Sequence, residues 1–303
     1  MSAQRTPIYI AGPTASGKSA LAMSIADSLQ GEIISVDSMQ VYQGMDIGTA
    51  KPSKAERTEV RHHLVDIRDL QQSFDAAQFV EEATTAIQDI QARSHLPIFC
   101  GGTGLYMKAL MEGLGSAPSP DRELRTTLES TPLSTLLAEL ERTDPKTFQR
   151  IDTKNPRRVI RAIEILRLTG KPVKESQSDW TDSSPKNRFG IYLIDRDRDD
   201  LYRRINDRVD QMLERGLVDE TRHLLDHGLR ENKTAMQALG YRQSVECLEG
   251  QLAVNELGER IQAKTRQFAR RQATWFRNQF RHVHIAKDPS ALESRIKADF
   301  EDR

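Results

Sequence analysis

Cysteine is nearly absent from this chain: Cys100 and Cys247 are the only two in 303 residues, far apart and outside any spacing that holds zinc. A disulfide scaffold and a zinc module are therefore excluded, and each thiol is expected to be free, packed as a small apolar side chain. Aromatic side chains are few, with only six Tyr and two Trp. No apolar run approaches the roughly 20 residues needed to cross a bilayer. The opening MSAQRTPIYIAGPT lacks the basic region, apolar segment and cleavage site of a secretory signal. A cytoplasmic protein with no membrane partner is expected. Net charge is missing too: 44 Lys and Arg balance 44 Asp and Glu, so no molecule-wide field announces a nucleic-acid partner. There is no internal repeat, and no exposed apolar stripe stands out, which favours a monomer.

What the chain has is local. Residues 150–174 carry eight basic residues against Asp152 and Glu164, and residues 257–281 carry seven against Glu259. Two basic segments in a neutral chain suit a protein with one polyanion-binding face, although solvated helix faces would look the same.

The periodicity predicts an α/β protein. PIYIA at 7–11, EIISV at 32–36, LPIFCGGT at 96–103 and IYLIDRD at 191–197 read as buried strands. Helical spacing marks residues 19–30, 75–92, 121–141 and 156–169, and then 201–228, where Gly216 ends one helix and starts the next. Gly, Ser and Pro punctuate 113–121, and SQSDWTDSSPKN at 176–187 is polar and Pro-broken. The expected architecture is a P-loop NTPase-like core, a mostly parallel sheet flanked by helices, formed by residues 1–115 and 190–303. A mostly helical insertion occupies 116–189. The acidic tail ADFEDR is expected to fray.

GPTASGKS at 12–19 is an uninterrupted G-x-x-x-x-G-K-[S/T] phosphate loop between a predicted strand and a predicted helix, where the chemistry needs it. Gly12, Thr14, Ala15, Ser16 and Gly17 let backbone N–H groups converge on an anion. Lys18 adds a cation and the Ser19 hydroxyl can face Mg²⁺. The loop specifies phosphate, not nucleotide hydrolysis. On motif chemistry alone, a small-molecule kinase and a transferase acting on a diphosphate both stand, and the basic segments alone would allow a nucleic-acid-binding module with a vestigial loop.

Asp37 ends the second predicted strand, at the sheet edge where open α/β folds keep their chemistry. It suits a metal carboxylate or a general base, or it caps a following helix. Residues 38–52, SMQVYQGMDIGTAKP, lack scaffold periodicity and read as a substrate loop. GGTG at 101–104 follows the third strand, where glycines permit close approach and Thr103 offers an uncharged hydrogen bond. His62, His63, His223, His227, His282 and His284 form no ligand pattern and are assigned no metal.

GPTASGKS, ISVDSMQVYQGMDIGTAKP, HHLVDIRD, GGTGLY, ALGYRQ and TRQFARRQATWFR together resemble the tRNA dimethylallyltransferase family, from Ile10 to about Phe276. The resemblance implies transfer of the dimethylallyl group of dimethylallyl diphosphate to N6 of the adenosine 3′ of the anticodon, in tRNAs reading U-starting codons. It implies Mg²⁺ as cofactor, with Lys18 and Ser19 on the diphosphate, Asp37 as base and Thr103 beside it. Arg242 is a further diphosphate contact on this reading. The insertion would bind the anticodon stem-loop through Arg157, Arg158 and Arg161, with Gln40, Gln267, Arg270 and Arg271 as other tRNA contacts. In the last long helix Arg266, Arg270 and Arg277 share a face suited to phosphates. Ile261, Phe268 and Trp275 recur on another face, expected in the core.

Overall fold

The apolar run after Pro7 becomes β1 (Ile8–Ala11), wholly buried, and the glycine-rich segment leads into α1 (Lys18–Leu29). The computed structural model describes residues 5–115, 117–173, 191–280 and 283–301. The expected SQSDWTDSSPKN loop, Lys174, Arg281 and His282 lie outside the described residues. β2 (Gly31–Val36), β4 (Leu96–Gly101) and β5 (Ile191–Ile194) occupy the other predicted strand positions. Two further strands, β3 (His62–His63) and β6 (Val283–Ala286), were not expected. Both lie at sheet edges and are too short or too exposed to show strand periodicity; Ile285 is 52% exposed.

The six strands pair in parallel in the order β3-β2-β4-β1-β5-β6. The central strands are buried, which is why their sequences are near-continuous apolar runs. Parallel pairing puts the turns after β1, β2, β4 and β5 at one sheet edge, and those turns carry the phosphate loop, Asp37, GGTG and Asp195. Chain order reverses about β1, which lies between β4 and β5, so the edge also has the crevice at which such sheets bind ligands.

Helices cover the sheet. α2 (Lys54–Glu59) starts on a Ser53 capping box, and α3 (Ala76–Ala92) on Asp75, which accepts from Ala77 and Gln78 N–H while Gln78 returns to the Asp75 N–H. α4 (Gly104–Glu112) follows β4.

The chain divides into two compact units, Met1–Lys108 with Asn187–Arg303, and Ala109–Lys186. In the second unit the predicted 121–141 helix is broken at Thr131-Pro132, giving α5 (Arg122–Ser130) and α6 (Leu133–Thr143). α7 (Pro145–Arg150) and α8 (Pro156–Thr169) follow. α8 begins on an Asn155 cap with Pro156 in its first turn and ends at Gly170 in the left-handed region. Leu128, Leu136, Leu140, Val159 and Ile163 form this unit's core.

After β5 come α9 (Arg198–Glu214) and α10 (Leu217–Leu225), divided at Gly216 with φ 92° as expected. A short 3₁₀ turn, α11 (Tyr241–Leu248), the long α12 (Val254–Gln279) and α13 (Pro289–Glu301) complete the unit. The tail is not frayed as far as it is described: Leu292 and Ile296 are buried in the core with α1, and Phe300 packs against it. The Asp299 carboxylate accepts the Tyr192 hydroxyl at 2.7 Å.

Candidate active site

The phosphate loop is tightly wound. Ala15 has φ 62° and Gly17 φ 96°, and a Cβ on Gly12 would stand 2.5 Å from the Ser16 Oγ. The Arg196 Nε donates to the Ser16 carbonyl at 2.6 Å and the Arg204 Nε to the Ala15 carbonyl at 3.0 Å, so two arginines hold loop carbonyls. The buried Ser16 hydroxyl has no hydrogen-bond partner among the described residues, an orphan that a ligand oxygen would satisfy.

Lys18 Nζ reaches the Pro13 carbonyl at 3.3 Å. Burial holds its ammonium below the ordinary lysine range; Cys100 and Asp37 pull it up, while Arg208 adds to the lowering. Burial likewise lowers the Arg208 guanidinium, which Asp37 opposes. Two partly buried cations thus lie near one carboxylate, and a bound anion would balance them. Burial pushes the Cys100 thiol up to about 11 despite Lys18 and Ser19 beside it, which makes it a poor nucleophile.

Asp37 caps a turn, not a helix: its Oδ1 accepts from the Met39 N–H at 2.9 Å and the Gln40 N–H at 3.4 Å. The Thr103 Oγ1 accepts the Ser38 N–H at 3.2 Å, and the Thr103 N–H donates to the Val36 carbonyl at 3.1 Å. Thr103 therefore ties the turn after β4 to the turn carrying Asp37. The glycines of GGTG are required by close approach. A Cβ on Gly101 would fall 2.1 Å from the Val36 carbonyl oxygen, and one on Gly104 would fall 2.1 Å from the Trp275 ring. Gln272 of α12 joins the remaining pair of loops, accepting the Thr14 N–H at 3.0 Å and donating to the Gly102 carbonyl at 2.9 Å.

These loops open on a cavity of about 460 Å³. Its wall includes Thr14, Lys18, Ser19, Asp37, Thr103, Arg208 and Gln272, together with the apolar Ile205, Val209, Met212, Leu239, Ile261 and Phe268. α9 and α12 supply Ile205, Val209, Met212, Ile261 and Phe268 of this apolar part. They run antiparallel, since Arg266 bonds Asn206 while Gln262 bonds Asp210.

Several expected residues lie elsewhere. Arg242 is exposed on α11, paired with Glu246 at 3.1 Å, and is not on the cavity wall. Arg161 donates to the buried Glu164 at 2.6 Å and to the Pro118 carbonyl, so its guanidinium neutralises an interior carboxylate jointly with Arg125. Arg157 and Arg158 are exposed on α8. Gln40 does line the cavity, and its side chain is held by its own loop: its Oε1 accepts from the Ser35 hydroxyl at 2.8 Å and its Nε2 donates to the Thr49 carbonyl at 3.2 Å. Gln267 and Arg270 are exposed on α12, whereas Arg271 lines the cavity beside Phe268. Arg266 and Arg277 are turned to Asn206 and Asp195 and so differ from Arg270. Phe268 is corrected from core to cavity wall, 38% exposed, because the buried face of α12 is Leu257, Ile261, Ala269 and Phe276.

Arg208 escaped the sequence reading. Its signal was an arginine amid Leu201, Ile205, Val209 and Met212, the apolar face of α9. Among the described residues no group of three or more His, Cys, Asp or Glu could hold a metal ion. A hydroxyl and one carboxylate, Ser19 and Asp37, are the available donors at the phosphate loop. That set fits Mg²⁺, which takes few protein ligands and completes its shell with phosphate oxygens and water.

Comparison with known proteins follows the same lines. Residues 40–279 match the family model IPPT, IPP transferase. The chain is 45% identical over 276 residues to tRNA dimethylallyltransferase 1 of Trichlorobacter lovleyi, covering 90% of each chain. It is 42% identical to the tRNA dimethylallyltransferase of Protochlamydia amoebophila, over 97% of this chain and 88% of that one. Among solved structures, a tRNA isopentenylpyrophosphate transferase from Bacillus halodurans superposes with a TM-score of 0.72 at 38% identity, covering 99% of this chain and 98% of that one.

Proposed function

The chain belongs to the IPP transferase family and is a transferase that moves a dimethylallyl group onto tRNA; we propose the residues and the acceptor atom through which it does so. The observation that carries the proposal is Asp37 sharing one cavity with the Lys18 and Arg208 cations and with an apolar patch formed by Ile205, Val209, Met212 and Ile261.

On this reading the phosphate loop holds the diphosphate of dimethylallyl diphosphate, with Lys18 and Arg208 countering its charge. The apolar residues of α9 and α12 take the five-carbon group. The acceptor is N6 of the adenosine 3′ of the anticodon in tRNAs reading U-starting codons. Its amine is weakly nucleophilic because the lone pair is delocalised into the ring. Asp37 takes the amine proton as the N–C bond forms at the allylic carbon, the C–O bond breaks, and diphosphate departs with the bonding pair. Charge growing on the leaving oxygen is met by loop N–H groups and Lys18. Mg²⁺, held by Ser19 and the diphosphate, supplies further charge neutralisation when bound. Thr103 fixes the Asp37 turn, and its hydroxyl lies within reach of the same site.

The helical unit, residues 109–186, is proposed to bind the anticodon stem-loop through Arg157 and Arg158, with Arg270 and Arg271 of the other unit as further phosphate contacts. A loop base leaves its stack at less cost than a paired one, which suits a buried acceptor site.

Equilibrium binding of dimethylallyl diphosphate and of ATP to wild type, Lys18→Ala and Asp37→Asn tests the assignment. The reading requires the donor to bind in preference to ATP, weakly to Lys18→Ala and near normally to Asp37→Asn. Preference for ATP would move the site to phosphoryl transfer.

A further inference from the structure

Residues 38–52 form no regular helix or strand; turns and bonds to the 66–68 backbone pair some of their backbone polar groups, and side chains pair others. Much of that work falls to Glu220, on α10. Its carboxylate accepts the Ile47 N–H at 2.9 Å, the Asp46 N–H at 3.3 Å and the Gly48 N–H at 3.4 Å, and it also accepts the Tyr241 hydroxyl at 2.6 Å. The Tyr241 hydroxyl in turn accepts the Gly48 N–H at 3.1 Å. Tyr241 is fully buried, and a Cβ on Gly48 would stand 2.4 Å from its ring. A carboxylate, a phenol and a glycine therefore form one fitted joint between the loop and helices α10 and α11.

The joint connects to the site. Beyond Gly48, the Thr49 and Ala50 carbonyls accept from the Gln40 amide at 3.2 and 3.4 Å, while Ser35 holds its other end. The Gln40 backbone N–H bonds the Asp37 Oδ1. Lys51, whose side chain is buried, closes the loop's end on the Tyr42 carbonyl, Asp46 and Asp66. Glu220 and Tyr241 are absent from the cavity wall, whereas Gly48, Thr49 and Ala50 are on it.

We propose that Glu220 and Tyr241 are positioning residues for transfer: they anchor the 46–48 turn and, through Gln40, set the Asp37 carboxylate and the acceptor side of the cavity, leaving the phosphate loop untouched. The inference rests on the assignment of Asp37 as base. It predicts an asymmetry that a general loss of folding would not produce. Donor handling stays normal while use of the RNA fails.

The test uses full-length wild type, Glu220→Gln and Tyr241→Phe with an anticodon stem-loop RNA, dimethylallyl diphosphate and Mg²⁺. Glu220→Gln keeps the shape but turns an amide N–H toward backbone N–H groups. Tyr241→Phe removes one hydroxyl and guards against a folding failure of the first variant. Single-turnover transfer at saturating donor is measured with donor KM, RNA KM and the melting temperature. A loop displaced by about 1 Å is expected to cost on the order of a hundredfold in transfer rate for Glu220→Gln. Tyr241→Phe should lose several-fold, with donor KM within about twofold of wild type in both.

Folded variants with wild-type transfer rates overturn the proposal, and so does a donor KM that rises as much as the RNA KM. A wild-type protein that transfers nothing would instead refute the underlying assignment of the site.

Discussion

Gly101→Ala is expected to be more damaging than its single added methyl suggests. The new Cβ would sit 2.1 Å from the Val36 carbonyl oxygen and 2.5 Å from the Val36 carbonyl carbon, both main-chain atoms of a paired parallel strand that no rotamer change can clear. β2 and β4 must part by about 1 Å to reach ordinary contact, and overpacking of this kind costs about 1–3 kcal/mol. For a protein of this size that lowers the melting temperature by roughly 2–4 °C per kcal/mol. The same carbonyl accepts the Thr103 N–H, and the next residue is Asp37, so the displacement falls on the proposed base. A shift of about 1 Å there is expected to cost on the order of a hundredfold in transfer rate. Gly102→Ala is the comparison: its Cβ meets the Gln272 amide at 2.4 Å, a side-chain end that can swing away at the cost of its bonds to Thr14 and Gly102, so a smaller loss is expected than from parting two strands. Thermal melts and single-turnover transfer of the two variants check the argument. Equal rates for Gly101→Ala and wild type would refute it, as would a greater loss in Gly102→Ala.

Lys18→Ala should raise donor KM and slow diphosphate departure by roughly a hundredfold, the cost of one donor to a developing anion, measured by steady-state kinetics at varied donor. Arg208→Leu should weaken donor binding by about tenfold or more with no loss of melting temperature, since a partly buried guanidinium with a depressed pKa gives way to an apolar side chain. Arg161→Ala should lower the melting temperature, because the fully buried Glu164 loses one of its two arginine partners and keeps Arg125 and the Asp121 N–H, while stem-loop affinity measured by filter binding changes less than in Arg158→Ala. Burial pulls the Glu32 carboxyl up, but hydrogen bonds from Arg93, His63 and His95 outweigh it and bring it down to about 2. A depressed carboxylate stabilises the fold above its unfolded value and loses that contribution as pH falls toward about 2. Wild type should therefore lose stability between about pH 4.5 and about 2 more steeply than Glu32→Gln in acid denaturation.

The parts legible in the sequence were those where one residue type is obligatory. GPTASGKS could be placed because a tight anion-binding turn demands glycines before a helix, and Gly216 because a left-handed residue ends α9. Asp37 and Thr103 were found through their strands, since a parallel sheet collects strand ends at one edge. Arg208 and Gln272 were missed because a helix residue declares its neighbour only after α9 and α12 are docked. Glu220 was missed because a carboxylate that caps a distant loop looks like any helix-surface acid. Arg161 misled for the converse reason: within a basic run, nothing marks the one arginine that must neutralise Glu164. Phe268 shared a seven-residue repeat with Ile261, yet α12 buries Ala269 and Phe276 and leaves Phe268 to the cavity.

The central claim is most directly tested by incubating the protein with Mg²⁺, dimethylallyl diphosphate and an anticodon stem-loop RNA, with and without ATP, and weighing the RNA by mass spectrometry. The account predicts a gain of one dimethylallyl group on the adenosine 3′ of the anticodon, independent of ATP and lost in Asp37→Ala. RNA of unchanged mass with ATP consumed would contradict it.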